Sequence, residues 1–142
     1  MKMTETSSNS SGGCQCGEIT FAFKGRSLRA YCCHCTECRK QSGSAFGTSI
    51  IVKTSVLQVT SGIPNCWSRT TSNGAELKCY FCKTCGTRLW HWADDDPEHV
   101  SIKGGTLDSP PAFDALDHIW TSSMLEGVKI PGHAKVWEKD PV

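Results

Sequence analysis

The 142-residue sequence lacks long apolar runs, sustained helical periodicity and an excess of charge of either sign. No apolar run approaches the roughly 18 residues that a transmembrane helix requires. No stretch repeats apolar residues at helical spacing over several turns, which argues against parallel α/β folds with crossover helices. The formal net charge is +1 and the basic residues are scattered, so nothing indicates a broad nucleic-acid-binding surface.

The sequence also lacks a targeting segment. Its first residues, MKMTETSSNSSGG, contain no apolar stretch of the length that a secretory signal peptide needs. We therefore expect a reducing, cytoplasmic location, where clustered cysteines are metal ligands rather than disulfides. Residues 1–12 are polar and rich in Ser and Thr, and we predict that they form a disordered tail. The domain is then expected to span residues 13–138.

Short strands are the secondary structure that the sequence does indicate. In EITFAF, the apolar residues Ile19, Phe21 and Phe23 alternate with smaller side chains, which is typical of a half-buried strand. A short helix is predicted at residues 36–42. The fold class is therefore mainly β, a single domain with short helical segments. Further strands are predicted at residues 29–33, 46–52, 55–60, 66–71, 76–81, 88–92, 99–103 and 134–138.

Cysteine is abundant, with ten residues, of which seven lie in three clusters. Two of the clusters, CQC at 14–16 and CKTC at 82–85, are two-thiol hooks followed at once by glycine. Glycine permits a positive-φ turn that directs backbone amides at the sulfurs. Two hooks from distant parts of a chain form one closed four-thiolate zinc site, and the binding energy of the metal becomes folding energy. This predicts a structural zinc held by Cys14, Cys16, Cys82 and Cys85.

The third cluster, CHCTEC at 33–38, offers the three thiols of Cys33, Cys35 and Cys38 without a fourth at hook spacing. Cys32 precedes them, but adjacent side chains of a strand face opposite sides, so Cys32 is not expected at the same metal. Cys66, Cys79 and His34 are the alternatives for a fourth ligand. The spacing leaves two interpretations open, a second closed structural zinc and a zinc with an open position.

Four segments resemble successive motifs of the glutathione-dependent formaldehyde-activating enzyme family, which includes the chromosomal centromere protein V. They are GGCQCGEITF, CCHCTECRKQSGSAFG, YFCKTCGTRLW and GGTLDSPPAF, and the resemblance runs from about residue 12 to about residue 123. The resemblance implies a compact Mss4-like (β-tent) fold with two zinc ions per chain. Cys14, Cys16, Cys82 and Cys85 match the closed structural site. Cys33, Cys35 and Cys38 match the ligands of a catalytic zinc whose fourth position is exchangeable.

The activity that the resemblance implies is the reversible addition of formaldehyde to the glutathione thiol, giving S-(hydroxymethyl)glutathione. This is a carbon–sulfur lyase reaction that serves formaldehyde detoxification. Three thiolates give a zinc site a formal charge of −1, which suits a soft thiol ligand better than it suits the acidification of water. Arg39 matches a family motif, and we expect it to contact a glutathione carboxylate.

Two other functions remain open on the sequence. The chromosomal relative suggests a non-catalytic zinc module that binds a partner. After HIWTSS the sequence departs from the family, because MLEGVKIPGH lacks the tryptophan that many members carry there. This favours, as a further alternative, a related lyase or hydrolase that acts on another thiol adduct. The expected partners are small molecules, glutathione and formaldehyde or a similar electrophile, with no membrane and no nucleic acid.

Overall fold

Strands dominate the computed structural model, which describes residues 9–141. One α-helix of seven residues, α1 (Thr36–Ser42), and four single-turn 3-10 helices complete the secondary structure of this part of the chain. No helix among the described residues is long and apolar enough to cross a membrane. The ten strands are β1 (Asn9–Gly13), β2 (Thr20–Lys24), β3 (Arg29–Cys33), β4 (Gly47–Lys53), β5 (Leu57–Ser61), β6 (Asn65–Thr70), β7 (Glu76–Phe81), β8 (Arg88–Ala93), β9 (His99–Lys103) and β10 (Asp117–Ile119).

The strands form two sheets. A three-stranded sheet has the order β1-β2-β5, and a seven-stranded sheet has the order β10-β3-β4-β9-β8-β7-β6. All pairs are antiparallel except β10 with β3, which is parallel and sets His118 opposite Cys32. Parallel pairing requires a long connection, and here about 80 residues of chain separate the two strands.

The core lies between the two sheets and explains the alternation in EITFAF. Ile19, Phe21 and Phe23 are buried, while the residues between them are half-buried. Phe21 packs edge-to-face on Trp90 of the larger sheet, with ring centroids 5.5 Å apart. Burying a side chain of this size contributes roughly 2–3 kcal/mol, so this row of β2 is a main contact between the sheets. The rest of the core comes from Cys14, Ile50, Val52, Cys82, Leu89, Val100, Ile102 and Leu107.

The predicted fold class, mainly β with short helical segments, is confirmed. The predicted tail is wrong at its end, because residues 9–12 belong to β1, paired with β2; residues 1–8 lie outside the described part of the chain. The strand predicted at 134–138 is also wrong, since the segment makes a single bridge between Val136 and His118. Residues 54–56 form a 3-10 turn rather than the start of a strand, and β5 begins at Leu57.

Candidate metal centres and the adjoining cavity

The first candidate centre brings Cys14, Cys16, Cys82 and Cys85 together, with all four sulfurs within 4.8 Å of one another. The sulfur of Cys16 lies 3.6 Å from that of Cys14 and 3.8 Å from that of Cys82. A tetrahedral zinc with Zn–S bonds of about 2.3 Å holds its sulfurs about 3.8 Å apart. The four-thiol set therefore fits a tetrahedral zinc.

Each hook of this centre turns at a glycine. Gly17 and Gly86 both have φ of 82°, and their amides donate to the carbonyls of Cys14 (3.1 Å) and Cys82 (2.7 Å). Other donors reach the sulfurs of the hooks. The Ile19 amide donates to Cys14 Sγ at 3.2 Å. The Thr87 hydroxyl, 3.2 Å from Cys85 Sγ, lowers the pKa of Cys85 to about 5. These donors favour the thiolate state that a metal requires.

The second candidate centre is formed by Cys33, Cys35 and Cys38, whose sulfurs also lie within 4.8 Å of one another. Cys33 ends β3, Cys35 caps α1, and Cys38 lies in the first turn of this helix. The Cys35 sulfur accepts the Cys38 amide at 3.3 Å. The N-cap side chain of a helix is usually that of Ser, Thr, Asp or Asn, which accepts a backbone amide through oxygen. Here a thiol takes this place, so its sulfur lies at the helix N-terminus, where a negative charge is stabilised.

The helix α1 reaches this position because Gly47 of β4 has no side chain. A Cβ at Gly47 would lie 3.0 Å from the Gln41 amide nitrogen and 3.3 Å from Cys38 Cβ. Both distances are tighter than ordinary contact, so with any larger residue here Cys38 of α1 and the Gln41 side chain must move by a few tenths of an ångström. The position of Cys38 relative to Cys33 therefore depends on a glycine in the neighbouring strand.

The three thiols of the second centre share negative charge unequally. Hydrogen bonds from Cys33 and Cys38 lower the pKa of Cys35 to about 2, and the pKa of Cys33 is raised because its thiol donates a hydrogen bond to Cys35 and must keep its proton to do so. One thiolate is thus stabilised by two thiols. Three thiolates in this space require a cation, and a three-sulfur donor set is typical of zinc.

Lys103 is a buried cation next to this centre. Its ammonium donates to Ser49 Oγ at 3.1 Å, and it takes part in none of the ion pairs formed by the described residues. Burial lowers the pKa of Lys103, and the thiols of Cys38 and Cys33 act in the opposite direction by favouring its charge. A buried ammonium without a carboxylate is costly unless another anion compensates it. A dication with three thiolates carries the matching charge of −1.

The residues considered as fourth ligands lie elsewhere. Within the described residues, the three-thiol group includes neither Cys66, which is exposed on β6, nor Cys79, which is buried on β7. His34 points to the other face of β3, where its Nε2 lies 2.9 Å from His118 Nδ1. The geometry therefore offers the second centre three thiols and no further ligand of these types.

A cavity of about 250 Å³ adjoins the second centre, and Cys38 forms part of its wall. Arg69 and Arg88 lie on this wall with Lys40, against a single carboxylate, Glu37, which is 3.9 Å from Arg69 Nε. The cavity is thus strongly cationic. Arg39, the expected glutathione contact, is not among the described residues that line it.

The two arginines were missed by sequence reasoning because they come from β6 and β8, distant from the cysteine clusters in sequence. Arg69 lies between two small polar residues of β6, and Arg88 is the first residue of β8, positions that are also typical of ordinary exposed side chains. Trp67 lies beside them with its side chain 52% exposed, and the Arg88 guanidinium lies 5.8 Å from its ring centroid. An exposed tryptophan beside two arginines forms an open surface that can hold an extended polar molecule.

His91 forms the inner wall of the same cavity and is neutral. Burial lowers its pKa to about 2, and the positive charges of Lys103, Arg88 and Arg69 act in the same direction. Its Nε2 accepts a hydrogen bond from Arg88 Nη1 at 3.0 Å. His91 therefore orients an arginine rather than ligating a metal.

Comparison with known proteins agrees with this architecture. A model of the family described as glutathione-dependent formaldehyde-activating enzyme matches residues 9–123. The comparison with curated proteins finds no significant match. A solved structure of a Rhodobacter sphaeroides protein aligns with a TM-score of 0.55 and 22% identity over 89% of this chain and 98% of that chain, which supports the fold. Because the family model spans most of the sequence, the chain belongs to the glutathione-dependent formaldehyde-activating enzyme family.

Proposed function

We propose that this protein is a zinc-dependent carbon–sulfur lyase that reversibly adds formaldehyde to the thiol of glutathione. The observation that carries the proposal is the three-thiol cluster of Cys33, Cys35 and Cys38, which gains no fourth ligand from the described residues and borders a cationic cavity. Family membership supports the same chemistry. All ten cysteines are unbridged, in keeping with a reducing, cytoplasmic compartment where glutathione is the abundant thiol.

Two zinc ions per chain fit the two candidate centres. The closed set of Cys14, Cys16, Cys82 and Cys85 serves a structural zinc, and Cys33, Cys35 and Cys38 serve a catalytic one. When bound at the second centre, zinc supplies an exchangeable fourth position with an affinity for soft sulfur ligands. The positive charge of Lys103 balances the third thiolate, so that the centre together with Lys103 is close to neutral.

The cavity residues bind and orient glutathione. Glutathione has two carboxylates and one ammonium group at neutral pH, and the cavity sets Lys40, Arg69 and Arg88 against one acidic residue, Glu37. Arginine holds a carboxylate through two parallel hydrogen bonds, which fixes orientation as well as charge. With its carboxylates held by Arg69 and Arg88, the tripeptide can direct its thiol toward Cys38.

The reaction requires neither an oxidant nor a reductant. A bond forms between the glutathione sulfur and the carbonyl carbon of formaldehyde, the C=O bond becomes C–OH, and the proton lost by the thiol ends on that oxygen. The protein holds the thiol as thiolate in an electrostatic setting that favours its charge. It also holds it beside the electrophile, and proximity of this kind lowers the barrier of a two-component reaction.

The proposal is tested with Cys38→Ser in the zinc-loaded protein. We expect the variant to lose the rate of adduct formation above the uncatalysed reaction, measured by NMR exchange of ¹³C-formaldehyde with glutathione. Zinc should fall from two equivalents to about one. Cys66→Ser is the matched control, because Cys66 is exposed and lies outside both centres. A Cys38→Ser variant that retained full turnover would exclude a catalytic role for the second centre, and a wild type with no rate above the uncatalysed reaction would favour a non-catalytic zinc module.

Recognition of glutathione is tested separately with Arg69→Gln and Arg88→Gln. Each is expected to raise the KM for glutathione by about tenfold or more, since one charged contact contributes on the order of 1.5–3 kcal/mol. Arg26→Gln serves as control because Arg26 is exposed and remote from the cavity. Unchanged KM in both cavity variants, with turnover still dependent on Cys38, would place the glutathione-binding residues outside this cavity.

A further inference from the structure

The face of β3 opposite the second centre carries another group of metal-ligand residues. Side chains alternate along an extended chain, so Cys33 and Cys35 face one side while Cys32 and His34 face the other. The parallel register between β3 and β10 sets His118 opposite Cys32. Cys32, His34 and His118 have no exposed surface, and one ligand atom from each lies within 4.8 Å of the other two.

Each of the two imidazoles has one ring nitrogen without a hydrogen-bond partner. His34 Nε2 and His118 Nδ1 are 2.9 Å apart, and the outer nitrogens, His34 Nδ1 and His118 Nε2, have no hydrogen-bond partner. Two neutral imidazoles that share one proton leave a buried N–H and a buried lone pair in either tautomeric arrangement. Each unsatisfied group costs about 1–3 kcal/mol. The aromatic neighbours Phe46 and Phe113 offer no conventional partner.

We propose that Cys32, His34 and His118 form a third metal site, which binds a soft monovalent d¹⁰ cation, copper(I), through one sulfur and two nitrogens. A mixed imidazole and thiolate set suits copper. A monovalent ion with one thiolate is neutral, as complete burial requires. A divalent ion would keep a buried positive charge and would prefer a fourth ligand, and the described residues at this point supply three.

Binding at this site joins the C-terminal segment to the strand that ends in Cys33. The His118 amide donates to the Lys135 carbonyl at 2.8 Å, and the Trp137 amide donates to the His118 carbonyl at 2.9 Å. An ion between β3 and β10 therefore fastens residues 117–137 to the sheet that positions the second centre. Binding exchanges the proton of the Cys32 thiol for the ion, and that proton goes to solvent. The proton between His34 Nε2 and His118 Nδ1 moves to the outer nitrogen of the imidazole that carries it, so that both facing nitrogens ligate, and copper(I) keeps its oxidation state. The site does not depend on the activity proposed for Cys38.

The test uses the full-length, zinc-loaded protein under anaerobic conditions. Copper(I) is supplied as its acetonitrile complex in competition with bicinchoninate, and copper and zinc per chain are then counted by mass spectrometry. We expect one copper per chain without loss of zinc, and an X-ray absorption spectrum that reports two nitrogens and one sulfur. Cys32→Ala should lose this copper. Cys79→Ala is the matched control, because Cys79 is equally buried but lies outside all three groups.

A second variant, His118→Gln, removes a nitrogen ligand and keeps the proposal testable if Cys32→Ala does not fold. It should also lose the copper while retaining both zinc ions. Copper that enters only as zinc leaves, or equal copper uptake in the wild type, Cys32→Ala and His118→Gln, would overturn the proposal. So would an absorption spectrum dominated by sulfur ligands, which would place the ion in the cysteine clusters.

Discussion

At the scale of single residues, Lys103 shows how charge and metal binding depend on each other. Its ammonium is buried on β9 with one neutral hydrogen-bond partner, Ser49. Such a group persists in a folded protein only beside compensating negative charge. The thiols of Cys38, Cys33 and Cys79 favour its charge, and of these Cys38 and Cys33 carry a negative charge when they ligate a metal.

Lys103→Met is therefore expected to weaken zinc binding at the second centre by about tenfold or more. At an effective dielectric constant of about 20, two unit charges about 4 Å apart interact by roughly 4 kcal/mol. Part of such a loss is recovered because Met avoids the desolvation of an ammonium. Zinc release to a chromophoric chelator measures the effect, and the first centre should be unaffected. Lys53→Met, at an exposed position of β4, is the control. Equal zinc retention in both variants would contradict the charge argument.

His91 provides a residue-scale prediction about pH. Its pKa in the folded state, about 2, lies below the value of about 6.5 expected in the unfolded chain, mainly because of burial and also because of Lys103, Arg88 and Arg69. The folded state thus binds fewer protons below pH 6.5. The stability that a neutral His91 contributes is present above this pH and is lost as the pH falls, by up to about 1.4 kcal/mol per pH unit.

His91→Gln retains an acceptor for Arg88 but cannot become charged. We expect its free energy of unfolding to fall less steeply between pH 7 and pH 5 than that of the wild type, with a difference of about 1–2 kcal/mol at pH 5. Urea denaturation at a series of pH values measures this. His133→Gln, at an exposed histidine, should follow the wild-type curve. Parallel curves for the wild type and His91→Gln would show that His91 is protonated in the folded protein without penalty.

At the scale of elements, the close contact of α1 with β4 controls the geometry of the second centre. Gly47→Ala places a methyl group 3.3 Å from Cys38 Cβ and 3.0 Å from the Gln41 side chain. Because backbone and ligand must then move apart, we expect faster zinc release from the second centre and lower turnover, while the first centre keeps its zinc. Gly132→Ala introduces the same methyl where no atom lies within 4 Å, and it should behave as wild type.

An element could be predicted from the sequence where its own residues show a pattern, and was missed where only pairing with a distant strand forms it. The alternation of Ile19, Phe21 and Phe23 predicted β2 because burial on one face determines the pattern. β1 was missed because NSSGG has the composition of a loop, and only pairing with β2 makes it a strand. β10 has three residues, too few to show a period, and its position comes from parallel pairing with β3 across about 80 residues.

The same distinction holds for the site. The three cysteine clusters could be found from sequence because hook ligands are close neighbours in the chain. Arg69, Arg88 and Lys103 come from three separate strands, and only the sheet order β9-β8-β7-β6 brings them to one side of Cys38. His118 lies beside Cys32 and His34 because β10 pairs with β3 in this register. Sequence spacing carries no information on such contacts.

At the scale of the whole molecule, the first centre connects the two sheets. Its first hook, Cys14 and Cys16, lies between β1 and β2 of the smaller sheet, and its second, Cys82 and Cys85, lies between β7 and β8 of the larger. A metal held by both hooks therefore links parts of the chain that are 66 residues apart. Such a link restricts the unfolded chain and adds the free energy of metal binding to folding.

Cys82→Ser is accordingly expected to lower the melting temperature far more than Cys38→Ser, because only the first centre joins the sheets. Cys82 is fully buried, so part of any loss comes from placing a hydroxyl in the core. Cys79→Ser measures this part, since Cys79 is equally buried and belongs to neither hook. Structural zinc contributes on the order of 10 kcal/mol in small zinc domains, so the loss of unfolding free energy should be several kcal/mol greater in Cys82→Ser than in Cys79→Ser.

A strong chelator should destabilise the wild type and Cys79→Ser but scarcely affect Cys82→Ser. If the two serine variants melted at the same temperature, the sheets would be held by the contact of Phe21 with Trp90 and the surrounding core, without help from the metal.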